Sequence, residues 1–281
     1  MNDRNLTTGL IFDFKRYLYA EEFNSGTIEK YMRDLRNFAA WLDGRVITKE
    51  LTTQWKESLL AKNYSPATIN SMLAAVNTFF RFADWPELRI KFLKIQRQLF
   101  RDHKKEMTAG DYRKLVNAAH HENKERLELL LETIGSTGIR VSEVKYITVE
   151  TARAGRGEIS LKGKIRTILL ASKLCRKLLN YARKNKIVSG EIFLTRNGKS
   201  LSRKQIWAEM KGLCKKAGVE ASKVFPHNLR HLFATTFYKA SKDIAKLADV
   251  LGHTSVETTR IYLLSTGTEH IRQLNSLGLI S

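Results

Sequence analysis

The segment Phe225-Pro226-His227-Asn228-Leu229-Arg230-His231-Leu232 puts three basic side chains within five residues. Pro226 suits the first turn of a helix, where its missing N–H costs nothing. From there His227, Arg230 and His231 fall at i, i+3 and i+4, on one face of that turn. Leu229, Leu232 and Phe233 take the other face. Positive charge at a helix N-terminus runs against the helix dipole. The arrangement makes chemical sense if an anion binds in front of it. A His pair at i, i+4 also occurs in zinc-binding helices, but those carry a glutamate after the first His. Asn228 stands there instead, and Arg230 beside it would repel a metal ion, so no metal ligation is expected.

Two further clusters carry matching chemistry. In the first, Ile244, Leu247, Ala248, Val250 and Leu251 form an apolar helix face that Gly252 ends, and His253 follows. Ser255 can cap a short new helix bearing Thr258, Thr259, Ile261 and Tyr262. One turn and a short helix separate His253 from Tyr262, which lets both face one site. The other cluster is Gly135-Ser136-Thr137-Gly138-Ile139-Arg140-Val141-Ser142-Glu143-Val144. Its two glycines free the backbone before a helix. Arg140 then projects from the loop-to-helix junction while Val141 and Val144 anchor the helix.

The elements that must position these residues are legible in outline. Residues 1–95 read as helices: Leu10, Ile11, Phe14, Tyr17 and Leu18 recur at helical spacing, as do Ile28, Tyr31, Leu35, Phe38 and Leu42. Gly44 is a plausible stop. Leu51, Trp55, Leu59 and Leu60 suggest a third helix. Ser65-Pro66 starts a fourth, through Ile69, Met72, Leu73, Val76, Phe79 and Phe80. Residues 96–107 are polar and basic without an apolar stripe, and read as a linker. Residues 108–281 are mixed. Thr108 caps a helix to Ala119, and another runs from about Leu127 to Ile134. Tyr146–Val149 and Ile192–Leu194 are short strand candidates. Glu158–Leu161 and Ile165–Leu170 read as a hairpin turning at Lys162-Gly163-Lys164. The fold class expected is mainly α, with a small antiparallel β-sheet in the second domain.

Charge narrows the partner. The 281 residues carry a formal net charge of +21. Residues 1–100 hold 15 basic and 11 acidic side chains, and residues 101–281 hold 34 and 17, so the second region alone is at +17. A folded region this basic usually meets a polyanion, most often nucleic acid. At 43% hydrophobic residues and only 3 prolines, the chain is not a disordered basic tail. No apolar run approaches the ~20 residues of a membrane span. The N-terminus lacks a signal-peptide core, and Cys175 and Cys214 make no disulfide framework, so a cytoplasmic location is expected.

Taken in order, Gly138-Ile139-Arg140-Val141-Ser142-Glu143, His227-x-x-Arg230-His231, Leu251-Gly252-His253 and Tyr262 in Thr258-Thr259-Arg260-Ile261-Tyr262 resemble the tyrosine recombinase (phage integrase) family, of the simple two-domain Xer-like type. The resemblance implies a helical core-binding domain and a mixed α/β catalytic domain. It also implies DNA cleavage and religation through a covalent 3′-phosphotyrosine, with strand exchange through a Holliday junction. Tyr262 is then the nucleophile. Arg140 and Arg230 are the electrostatic clamp on the phosphate, and His227 and His253 assist proton movement. The family's hairpin lysine, which protonates the leaving 5′ oxygen, falls on Lys162, with Lys164 as the alternative. Glu143 either orients Arg140 or is a helix-surface residue. Implied partners are a double-stranded DNA recombination site and three further copies of the chain, in a homotetramer on two sites. No metal and no cofactor are implied. The apolar tail, with Ile271, Leu274, Leu277, Leu279 and Ile280, would dock on a neighbouring protomer or on its own domain. A type IB topoisomerase-like enzyme and a catalytically inert DNA-binding protein are the alternatives; the full set of site residues argues against the second.

DNA affinity should fall steeply with salt. Each neutralised phosphate contributes about −0.9 to the slope of log affinity against log salt. Filter or anisotropy titrations between low and physiological salt should return a slope of several units, and a slope near zero would remove DNA as the partner.

Overall fold

Four side chains with a short oxygen-bearing arm, Thr7, Asn24, Thr48 and Ser65, open the first four helices. Each accepts the backbone N–H three residues on, satisfying a donor that the helix itself leaves orphaned. The computed structural model of the chain describes residues 4–95, 106–161, 164–262 and 275–277, with only the backbone at Leu161 and Lys164. Two compact units divide it, Met1–Arg97 and Gln98–Ser281.

The first unit holds α1 (Thr8–Ala20), α2 (Ser25–Leu42), α3 (Lys49–Ala61) and α4 (Pro66–Phe82). The helical spacing of apolar residues becomes its core: Phe14, Leu18, Leu35, Phe38, Trp55, Leu73, Phe79 and Phe80 are fully buried. Pro66 sits in the first turn of α4 behind its Ser65 cap. At the end of α2 the left-handed cap is Asp43, with Gly44 following at positive φ. After α4 the chain turns through a 3-10 helix at Pro86–Leu88 and is held back against α4 by two asparagines. Asn77 accepts the Ile90 N–H at 2.8 Å and donates to the Ile90 carbonyl at 2.9 Å. Asn70 does the same for Leu93, at 2.8 and 2.9 Å.

The segment read as a linker, 96–107, lies mostly outside the described residues. Met107, at its end, is buried in the core of the second unit. That unit begins with α5 (Ala109–His121), opened by a reciprocal Thr108–Asp111 capping box, and α6 (Glu125–Thr137). A 3-10 helix at Val141–Tyr146 and α7 (Val149–Ala154) lead into an antiparallel hairpin of β1 (Arg156–Leu161) and β2 (Lys164–Leu169). Then come α8 (Ser172–Lys184), α9 (Arg203–Ala217), α10 (Pro226–Ser241), α11 (Ile244–Leu251) and α12 (Val256–Arg260). The architecture is mainly helical with one small antiparallel sheet, as the sequence implies.

Several local expectations change. Tyr146–Val149 is not a strand: Tyr146 ends the 3-10 helix, Thr148 makes one bridge to Glu191, and Val149 already starts α7. Ile192–Leu194 likewise contributes only an isolated bridge, Leu194 with Ser200. Ile147, Val149, Ile192 and Phe193 are buried, and periodicity over three or four residues cannot distinguish such runs from a strand. Gly135 lies within α6, not in a loop, and the Tyr112 ring packs where its side chain would be. The hairpin is tighter than expected, because Leu161 pairs with Lys164 and only Lys162 and Gly163 lie between the strands. Of the apolar tail, Ile271, Leu274, Leu279 and Ile280 lie outside the described residues, and Leu277 is exposed.

Asn77→Ala removes both hydrogen bonds to Ile90 and leaves a half-buried backbone pair without its partner. The first unit should lose about 1–3 kcal/mol, by the usual cost of leaving such groups unsatisfied. Urea denaturation followed by tryptophan fluorescence measures this, since Trp55 is buried in that core.

Candidate active site

One carboxylate organises the first half of the site. Glu143 lies in the first turn of the 3-10 helix, and its side chain is 2% exposed. Its Oε2 accepts the backbone N–H of Arg140 at 2.7 Å, which closes that turn. Its Oε1 accepts the Arg140 guanidinium at 2.8 Å. Arg140 keeps 41% of its side chain exposed, so part of its fork remains open to a ligand. A second guanidinium, from Arg166 on β2, donates to Glu143 Oε2 at 2.5 Å. Burial pushes the Glu143 carboxyl upward, but the hydrogen bonds from Arg140 and the charges of Arg166 and Arg140 outweigh it and hold the group below the ordinary carboxylate range. Glu143 is therefore an ion-pairing residue inside the site, not a surface one.

The second half is assembled around Arg230. Expected on a helix face, its guanidinium is in fact buried at 3% exposure. It donates to the Gly138 carbonyl at 2.5 Å and to the Leu251 carbonyl at 2.9 Å, the C-terminal ends of α6 and α11. Those carbonyls are the unpaired negative ends of two helix dipoles, which is where a buried cation is best tolerated. Arg230 also donates to His253 Nε2 at 2.9 Å. An arginine has no acceptor, so Nε2 must carry the lone pair and Nδ1 the proton. Nδ1 then donates to Thr259 Oγ1, 2.9 Å away. Burial, followed by the charges of Arg230, Arg140 and Arg166, lowers the His253 pKa to about 4, so the ring is neutral near pH 7. Burial also lowers the pKa of Arg230, and its hydrogen bond with Tyr262 opposes that shift.

Tyr262, 4% exposed, sits among three imidazoles. Its ring centroid is 5.9 Å from the stacked His253, 6.2 Å from His227 and 5.3 Å from His231. An apolar cluster of Ala234, Leu247 and Leu251 backs it. Two glycines make the close approaches possible. Gly138 caps α6 at φ +64, and a Cβ there would lie 2.3 Å from the Phe233 ring. Gly252 caps α11 at φ +64, and a Cβ there would lie 2.1 Å from Arg166 Cδ. Both need the left-handed conformation and the missing side chain at once.

The structure thus gathers Arg140, His227, Arg230, His253 and Tyr262 in the second unit. Lys162 lies outside the described residues. Lys164 is the first residue of β2, and only its backbone is described. Arg166, Thr259 and the positioning of Arg140 by Glu143 complete the site. The sequence alone does not mark Arg166, because apolar residues stand on both faces of the strand, Ile165 and Leu169 on one and Ile168 on the other. In the structure Ile165 and Leu169 are exposed while Ile168 is buried, so strand alternation turns Arg166 inward, and a charge on a buried face demands a partner.

Comparisons with known proteins bear on the family and the fold. Residues 105–268 match the phage integrase family, and residues 11–87 match its N-terminal SAM-like domain. The chain is 30% identical to the tyrosine recombinase XerA of Pyrococcus furiosus, over 97% of this chain and 95% of that protein. It is 28% identical to the tyrosine recombinase XerD of Listeria monocytogenes, over 90% and 93%. Among solved structures, the XerH site-specific recombinase bound to its difH substrate superposes with a TM-score of 0.68 at 19% identity, covering 90% of this chain and 80% of that one. A lambda integrase tetramer bound to a Holliday junction gives 0.72 at 18% identity, covering 93% and 78%. At these identities the two structures bear on the fold alone.

A histidine held neutral in the folded state ties stability to pH. The unfolded chain takes up a proton at His253 near pH 6.5 and the folded chain only near pH 4. The His253 contribution is therefore fully present above about pH 6.5 and is lost as pH falls through that window. Melting temperatures from pH 7 to 4 should fall less steeply for His253→Gln than for the parental chain. Parallel curves would mean that the ring titrates normally.

Proposed function

This chain belongs to the phage integrase family, and on that premise we propose that it breaks and rejoins DNA at specific sites as a tyrosine recombinase, using Tyr262 as the nucleophile. The observation that carries the reading is the convergence of a buried tyrosine, two guanidiniums and neutral His253 within one unit that also carries the chain's excess positive charge.

Tyr262 Oη attacks the scissile phosphorus and displaces the 5′ oxygen, leaving a 3′-phosphotyrosine whose bond energy is kept for rejoining. Arg140 and Arg230 bind the non-bridging oxygens, where charge grows in the transition state. Arg230 is already desolvated and fixed by two carbonyls, so it need not reorganise as the reaction proceeds. His227, beside the ring, takes the phenol proton; His253, whose lone pair accepts from Arg230, stays neutral and holds that guanidinium, and His231 packs 5.3 Å from the ring. The hairpin lysine, Lys162 with Lys164 as the alternative, gives a proton to the departing 5′ oxygen. Attack by a 5′-hydroxyl from a second duplex reverses these steps and produces the Holliday junction.

In this reading residues 1–95 form the core-binding domain, 96–107 the linker and 108–281 the catalytic domain. Four copies act on two double-stranded DNA sites, in line with the lambda integrase tetramer on a junction. Among the described residues no helix is long and apolar enough to cross a membrane. The two free, buried cysteines fit the reducing cytoplasm.

Tyr262→Phe should bind DNA with unchanged affinity and form no covalent adduct, since the ring and its packing remain. A pool of randomised duplexes, each nicked to trap cleavage, provides the substrate, and adduct is read on a denaturing gel. A denaturant-resistant adduct from the Phe variant would overturn the assignment.

A further inference from the structure

Arg166 is not one of the residues that would touch the phosphate, yet it joins the segments that carry them. It projects from the inner face of β2, opposite Ile159 in the sheet register, and its side chain is 11% exposed. One arm of its guanidinium donates to Glu143 Oε2, the carboxylate that holds Arg140 by both backbone and side chain. Another arm donates to the Val250 carbonyl at 2.9 Å. Val250 immediately precedes Leu251, whose carbonyl accepts from Arg230, and Gly252 and His253 follow. The aliphatic part of Arg166 fills the space that a side chain at residue 252 would take.

We propose that Arg166 is a positioning residue that fixes the distance between the two phosphate-binding arginines, by bolting the loop of Arg140 to the end of α11 that holds Arg230 and His253. The inference rests on the recombinase reading for its consequence, though not for its geometry. Without Arg166, Glu143 can still hold Arg140 and Arg230 still joins Gly138 to Leu251, but the Glu143 carboxylate loses its tie to the Val250 carbonyl. The two arginines must grip oxygens of one phosphorus, so a small displacement between them matters more than the strength of either bond. A lysine cannot replace it. One ammonium has no planar fork to span a carboxylate on one side and a carbonyl on the other. Arg166 also lies four residues after Lys162 and two after Lys164 in the sequence.

The test uses Arg166→Lys, which keeps the charge and much of the volume, alongside Arg166→Ala. With saturating protein on the nicked duplex pool, Arg166→Lys should form adduct about 10- to 10²-fold more slowly, the cost of a misplacement of roughly 1 Å. Its DNA affinity should stay within about threefold of the parental value, because phosphate contacts elsewhere dominate binding. In a Glu143→Gln background the same substitution should cost less than about threefold, because the two residues act as one unit. Amide hydrogen exchange in the free protein should accelerate at both 138–146 and 247–253, and remain unchanged in α5. Full multiplicative cost in the double variant, or exchange that rises only in the hairpin, would overturn the proposal. If the parental chain itself forms no Tyr262-dependent adduct, the recombinase reading fails on its own control. The exchange experiment needs no DNA and still decides whether Arg166 joins the two segments.

Discussion

The Glu143 carboxylate is the interaction on which the rest of the site depends. Arg140 and Arg166 converge on it, with Arg230 close enough for its charge to act on both; Glu143 and Arg166 are largely buried, while Arg140 stays partly open to solvent. Three guanidiniums against one carboxylate, with His253 neutral, leave a net charge of about +2 in a low-dielectric environment. Removing the carboxylate would leave the cations repelling one another. Adding a second carboxylate would fill the place an anion should take. A phosphodiester brings one negative charge and a five-coordinate phosphorus species two, so the site is better matched to the transition state than to the ground state.

The helix ends supply what the carboxylate does not. Arg230 is neutralised by no acidic side chain among its described partners. It leans on carbonyls at the ends of α6 and α11, which are partial negative charges fixed in place by the helices themselves. That choice explains the two glycines. A helix that ends in the left-handed conformation turns its last carbonyls outward, and Gly138 and Gly252 allow this while Phe233 and Arg166 close over them. The same carbonyls could not be offered if either helix continued by one more turn. Helix termination and cation binding are one feature here.

The neutral state of His253 follows first from burial and then from the same crowding of charge. Its Nε2 faces a permanent donor and its Nδ1 faces a hydroxyl, so the tautomer is set without any acidic neighbour in direct contact. A protonated ring would place another cation beside Arg230. Burial first, and this repulsion second, hold the imidazole in the neutral form that accepts the Arg230 hydrogen bond.

Residue order alone carries the helices of the first unit, the Ser65 cap of α4 and the hairpin, and it singles out the residues expected in the site. These are local matters: a 3.6-residue period, a Ser before a Pro, an alternation of two, and charged residue types that have no reason to cluster except around an anion. It also placed Arg140 and Arg230 in one role, though not their partners. Short runs such as Tyr146–Val149 hold too few residues to show a period, so a strand and a tight helical turn look alike in them. Long-range packing, in contrast, buries Arg230 against two helix ends, sets two arginines on Glu143 and brings Arg166 beside them. Arg230 meets Gly138 across 92 residues, and Arg166 meets Val250 across 84. Pairings at such separations are set by how whole helices pack, and no periodicity along the chain carries that information.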